Sequence, residues 1–186
     1  MQSQALTGGF ADAPTDSAIA FREIMQVMAR PGRIARIGGA TPPAPLSIAA
    51  GTLVLTLCDP DTPVYLAPGH DTPPIRDWIT FHTGAPFTDQ AHAAFALGDW
   101  GALSGQAFSV GTPEYPDRST TLIVEMPELT SEGPTLRGPG IRDTAQLSLP
   151  ELDRFRENAA LFPLGNDFFF TAGRHVAALP RSTRVS

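Results

Sequence analysis

A single α/β domain, built as one mixed β-sheet with helices on both faces, is the fold class this chain predicts, and three observations carry it. Apolar residues at helical spacing, as in Asp16 to Arg30, alternate along the chain with short β-rich runs such as Thr120 to Met126. Several of those strands follow one another through short turns, which breaks a strict β–α–β rhythm and implies antiparallel as well as parallel pairing. The 186 residues are 42% hydrophobic and 17% charged, a globular composition large enough for one core, and no repeat or low-complexity linker divides them.

Taken in order, residues 1–15 read as a loosely held lead-in and residues 16–186 as the domain. The segment DSAIAFREIMQVMAR places Phe21, Ile24, Met25 and Met28 at helical spacing; Thr15 or Asp16 can cap it and Pro31-Gly32 stops it. Arg33 to Ile37 alternates as a strand, and a Gly-Gly and Pro-rich turn runs through Pro45. The run LSIAAGTLVLTLCD fits either a buried helix or a strand; its length and the cap at Ser47 favour helix. A turn at Asp59 to Pro63 leads into a strand at Val64 to Ala67.

Thr72-Pro73-Pro74 starts a helix that turns Ile75, Trp78, Ile79 and His82 to one side and ends at Gly84. A strand near His92 to Leu97, a helical turn around Trp100 to Phe108 and the clear strand Thr120 to Met126 follow. After a turn at Ser131 to Gly133 a further strand enters the bend Arg137-Gly138-Pro139-Gly140-Ile141. Ser148 then caps a helix that buries Leu152, Phe155, Ala159 and Phe162. The chain closes on a hairpin, Asp167 to Thr171 and His175 to Leu179 about a Gly173 turn, with an arginine-rich exit.

The residues exclude more chemistry than they suggest. All 13 basic residues are arginine, so neither a lysine Schiff base nor a Walker A lysine is possible. One cysteine, Cys58, rules out an internal disulfide and any CxxC motif; its apolar neighbours make it a small core residue. His70, His82, His92 and His175 lack the spacing of a metal motif, and Asp59/Asp61 reads either as a turn or as a two-carboxylate magnesium site. No catalytic residue, resident metal or cofactor is therefore assigned. A net charge of −6 argues against a nucleic-acid footprint, and the longest apolar run is too short for a membrane span. The N-terminus has no secretory pattern, so a cytoplasmic protein is expected.

The site-like concentration is cationic: Arg137, Arg142, Arg174, Arg181 and Arg184 lie in the last third of an acidic chain. Guanidinium forks suit phosphate or carboxylate, and equally suit contacts with a protein partner. Partner contacts are the favoured reading of Arg181 and Arg184, and replacing either by Ala is expected to weaken assembly more than folding.

Six stretches, AFREIMQVMARPG, LVLTLCDPDTPVYL, FHTGAP, STTLIVEM, LRGPGI and FPLGNDFFFTAGRHVAALPRSTRV, occur together and in order from about Asp16 to Val185. On these the chain resembles the PhnH subunits of the bacterial carbon–phosphorus lyase system; the aromatic strand after Asn166 departs from the more aliphatic pattern expected there. The resemblance implies a three-layer α/β/α fold similar to the large domain of pyridoxal-phosphate transferases, without the cofactor. It also implies a homodimer and a cytoplasmic complex with PhnG-, PhnI- and PhnJ-type subunits. That complex joins a phosphonate to the ribose of a nucleoside triphosphate with loss of the base, then breaks the carbon–phosphorus bond by radical chemistry in another subunit. The PhnH part is expected to be a non-catalytic assembly subunit; direct binding of nucleotide or phosphonate through the arginines is the alternative.

Overall fold

The computed structural model describes residues 6–186. A six-stranded sheet in the order β1-β8-β7-β4-β3-β2 forms the middle layer. Its strands are β1 (Ala35–Arg36), β2 (Val64–Leu66), β3 (Phe95–Asp99), β4 (Thr121–Glu125), β7 (Asp167–Ala172) and β8 (His175–Leu179). From β2 through β3 and β4 to β7 the strands run parallel, whereas the β7–β8 hairpin and the edge strand β1 are antiparallel. This is the mixed sheet the sequence predicts.

Successive residues of a strand point to opposite faces, and here both faces are covered. Val64, Leu66, Leu97, Ile123, Phe169, Val176 and Ala178 form one core with helices α1 (Ala13–Ala29), α2 (Ile48–Leu57) and α3 (Pro73–Thr83). Ala96, Leu122, Val124, Phe168, Phe170, Ala177 and Leu179 form the other, against α4 (Trp100–Leu103) and α5 (Asp153–Ala160). A second sheet, in the order β6-β5-β9, completes that layer through Leu136 and Val185; its strands are β5 (Thr135–Arg137), β6 (Ala145–Gln146) and β9 (Arg184–Val185). The unbroken Phe168-Phe169-Phe170 run follows directly, because a strand buried on both sides has no polar face to alternate with.

Local chemistry sets the helix ends. Ser47 Oγ accepts the Ala50 N–H at 3.1 Å and starts α2, and Gly84 closes α3 in the left-handed conformation with its N–H donating to Thr80 O. The ambiguous α2 segment is a helix buried almost all round, which explains why neither period stood out in its sequence.

Four expectations are corrected. Helix α1 begins at Ala13, and its buried positions are Ala20, Ile24 and Val27, whereas Phe21 and Met25 are 48% and 51% exposed. The small Ala20 lies in the buried stripe with Ile24 and Val27, and the bulkier stripe one position over is left outside. The helix expected from Ser148 starts at Asp153 instead; Ser148 Oγ accepts the Thr130 N–H at 2.9 Å and ties two loops together. Because α5 ends at Ala160, Phe162 is carried out into solvent rather than inward. Strand β3 begins at Phe95, since Asp89 caps a turn at Ala91 and His92 that occupies the residues before it. The lead-in expected at residues 1–15 falls partly on residues 1–5, outside the described residues. Of the rest, Gly8 O accepts the Thr41 N–H and Thr7 O accepts the Trp78 indole N–H at 3.0 Å.

Cys58 caps the end of α2 and is buried. Burial, with a smaller contribution from Asp59, pushes its thiol up to about 12. The thiolate is the reactive form, so native protein at pH 8 is expected to resist a colorimetric thiol reagent and to react in full once urea unfolds it. Rapid labelling without denaturant contradicts this.

Candidate functional site

The five arginines singled out in the sequence do not converge. Arg181 is turned into the protein: its Nε and Nη2 donate to Asp167 Oδ1 and Oδ2 at 3.1 and 2.5 Å, Nη1 to Pro116 O at 2.6 Å, and Nη2 also to Ser119 Oγ at 2.6 Å. The Arg181 backbone N–H adds a bond to Asp167 Oδ1 at 2.8 Å. Its side chain is only 14% exposed, so this group locks the start of β7 to the end of β8 and to the loop before β4. The expectation that Arg181→Ala weakens assembly more than folding is thereby reversed.

Arg174 lies at the other end of β8, in the hairpin turn, about 15–20 Å away by strand length. It is exposed, and a Cβ on Gly38 would come within 2.9 Å of its Nη1, so glycine there leaves room for the side chain. Arg137 and Arg184 are drawn together. They are direct partners in the antiparallel β5–β9 ladder, and because Leu136 and Val185 point into the core, the two guanidinium groups share the outer face. Arg142 follows in the loop after β5, also exposed. That loop makes the backbone bend expected of Gly-Pro-Gly: Gly138 and Gly140 have φ of 150° and 80°, and a Cβ on Gly140 would sit 1.9 Å from Ala29 O. Among the described residues no carboxylate lies within 4.0 Å of Arg137, Arg142, Arg174 or Arg184.

The carboxyl ends of the parallel strands, where ligands sit in many α/β sheets, are filled by capping. Asp99 at the end of β3 accepts the Ala102 N–H at 3.0 Å and starts α4. Glu125 at the end of β4 accepts the Ser47 N–H at 2.7 Å and the Thr171 hydroxyl at 2.8 Å, joining α2 to β4 and β7. Of the histidines, His70 is buried, His82 contacts Thr7 O, His92 pairs with Asp89, and His175 stands exposed opposite Arg36. Asp59 Oδ1 accepts the Asp61 N–H at 2.9 Å, which is the turn reading of that pair. No group of three or more His, Cys, Asp or Glu poised for a metal occurs among the described residues.

A cavity of about 360 Å³ lies elsewhere, between α4, α5 and the sheet, lined by Trp100, Phe108, Leu122, Asn166 and Phe168 among others. None of the five arginines faces it. Nothing in the sequence brings these residues together, because their spacing follows no local period and only strand order unites them.

Fold and side chains together define an α/β protein with one mixed six-stranded sheet covered on both faces, and the comparisons with known proteins make that class specific. The family described as "Bacterial phosphonate metabolism protein (PhnH)" matches residues 8–186. The "Alpha-D-ribose 1-methylphosphonate 5-triphosphate synthase subunit PhnH" of Rhizobium meliloti (strain 1021) is 45% identical over 194 residues, covering 99% of this chain and 97% of that protein. The chain belongs to the PhnH family.

Proposed function

We propose that this chain is a non-catalytic assembly subunit of a phosphonate-processing complex. In that role it meets PhnG-, PhnI- and PhnJ-type subunits in the cytoplasm, and it forms a homodimer when alone. The observation that carries the reading is the chain-long similarity to a protein whose name makes it a subunit of a ribose methylphosphonate triphosphate synthase. The placement of the arginines supports it: Arg137 and Arg184 stand side by side on an open surface without an internal carboxylate, as contacts for an acidic partner would. No helix is long and apolar enough to cross a membrane among the described residues.

Co-purification with the three partner types tests this. Arg137→Glu/Arg184→Glu is expected to reduce recovery of the complex about tenfold, while the isolated variant keeps its melting temperature. Full recovery contradicts the contact, and autonomous turnover of a phosphonate nucleotide by the isolated chain contradicts the non-catalytic role. The same unpaired arginines sustain a second reading, direct binding of nucleotide or phosphonate. Calorimetry with a nucleoside triphosphate on the isolated chain decides it, since no heat at millimolar ligand ends that reading.

A further inference from the structure

The cavity beneath α4 and α5 is distinct from the arginine surface, and one residue of its lining, Asn166, carries a fixed acceptor. Asn166 stands just before β7, and its Nδ2 donates to Ser109 O at 2.8 Å and to Thr120 O at 2.9 Å. Both amide protons are thus used, which settles the orientation of the carboxamide. The Asn166 backbone is clamped as well, its N–H donating to Asn158 Oδ1 at 2.8 Å and its carbonyl accepting from Asn158 Nδ2 at 2.9 Å. What remains is Oδ1, an acceptor with no donor among the described residues, on a residue that lines the cavity. Four hydrogen bonds hold it in place.

The cavity lining combines the apolar Trp100, Phe108 and Phe168 with the polar Ser104, Gln106 and Asn158. Trp100 and Phe168 meet edge to face at 6.3 Å on one side, and Phe108 packs edge-on against Tyr65 at 5.7 Å on another. The charged groups at the rim satisfy each other: Arg154 pairs with Glu157 at 3.8 Å and donates to Ser104 O at 2.8 Å. No unpaired charge asks for an ion, and about 360 Å³ lies within the range of small-ligand sites.

We propose that this cavity binds an uncharged, planar heteroaromatic molecule carrying a ring or exocyclic N–H. The ring lies among Trp100, Phe108 and Phe168, and its N–H donates to Asn166 Oδ1. A group that must otherwise be met by water gains a donor, and the partly exposed rings of Trp100 and Phe108 are covered further. The site is independent of the assembly surface, so either can fail without the other.

The probes are indole and 1-methylindole, which share the fused ring and differ in that a methyl group replaces the N–H. Proton–nitrogen correlation spectra of the full chain are followed on the Trp100 indole N–H and the Asn166 side-chain amide. The Trp78 indole, buried in the opposite core, serves as the control. Indole at millimolar concentration is expected to move the first two signals and not the third, and 1-methylindole to bind about tenfold more weakly. Ala107→Trp, placed at an exposed residue of the cavity wall, is expected to abolish the shifts at unchanged melting temperature. Should that variant not fold, Overhauser contacts between indole and the Leu122 methyls of the wild type decide the location. No shift with indole, equal binding of the two probes, shifts that survive in Ala107→Trp, or absent Leu122 contacts overturn the proposal. It is overturned as well if only added partner subunits move Trp100, because the cavity is then a socket for a protein side chain.

Discussion

Arg181→Ala is expected to lower the free energy of unfolding by about 3 kcal/mol, read as a shift of the urea midpoint. The change leaves the Asp167 carboxylate, only 23% exposed, without its cation, and it leaves Pro116 O and Ser119 Oγ without their donor. Against a total stability of about 5–15 kcal/mol this is a large share. Arg181→Lys should recover little, because an ammonium group cannot reproduce the bidentate fork onto Asp167 Oδ1 and Oδ2 while also reaching Pro116 and Ser119. A loss under about 1 kcal/mol, or full rescue by lysine, contradicts the account of Arg181 as a lock between β7, β8 and the loop before β4.

Phe155→Ala should cost more, about 3–5 kcal/mol. Phe155 is 1% exposed and lies at the centre of an aromatic group, stacked on Trp100 at 4.8 Å and edge-on to Phe168 and Phe170 at 5.0 and 5.7 Å. It is the buried residue of the short helix α5, so its loss removes the main apolar hold of that helix on the sheet. Phe155→Leu keeps most of the volume and should cost about 1–1.5 kcal/mol. Chemical denaturation supplies both numbers, and near-ultraviolet circular dichroism should report loss of the Trp100 environment in Phe155→Ala. Equal, small losses in the two variants would sink this ranking.

What could be read from the sequence divides along physical lines. The β7–β8 hairpin, the cap at Ser47, Pro73 at the start of α3, and the bend at Gly138 and Gly140 rest on local backbone chemistry, and each stands where the residues placed it. Choices made by tertiary packing were not legible. In α1 the apolar residues form two adjacent stripes, and tertiary packing buries the one that holds Ala20, Ile24 and Val27. The two-residue strands β6 and β9 are too short to carry a period. Arg181 looked like its neighbour Arg184 because its partners lie 14, 62 and 65 positions away. The Asn166 acceptor was invisible for the same reason, as its donors' targets Ser109 and Thr120 come from other segments.

The pairing of Arg137 with Arg184 also has a thermodynamic side. Like charges directly across an antiparallel ladder oppose that pairing by a few tenths of a kcal/mol, up to about 1. The small sheet of the isolated chain therefore carries a standing electrostatic strain, relieved by salt through screening and by any anionic surface that docks there. Binding free energy at this face is then returned as folding free energy: the isolated subunit should melt at higher temperature as salt is raised, and the assembled one should lose most of that dependence.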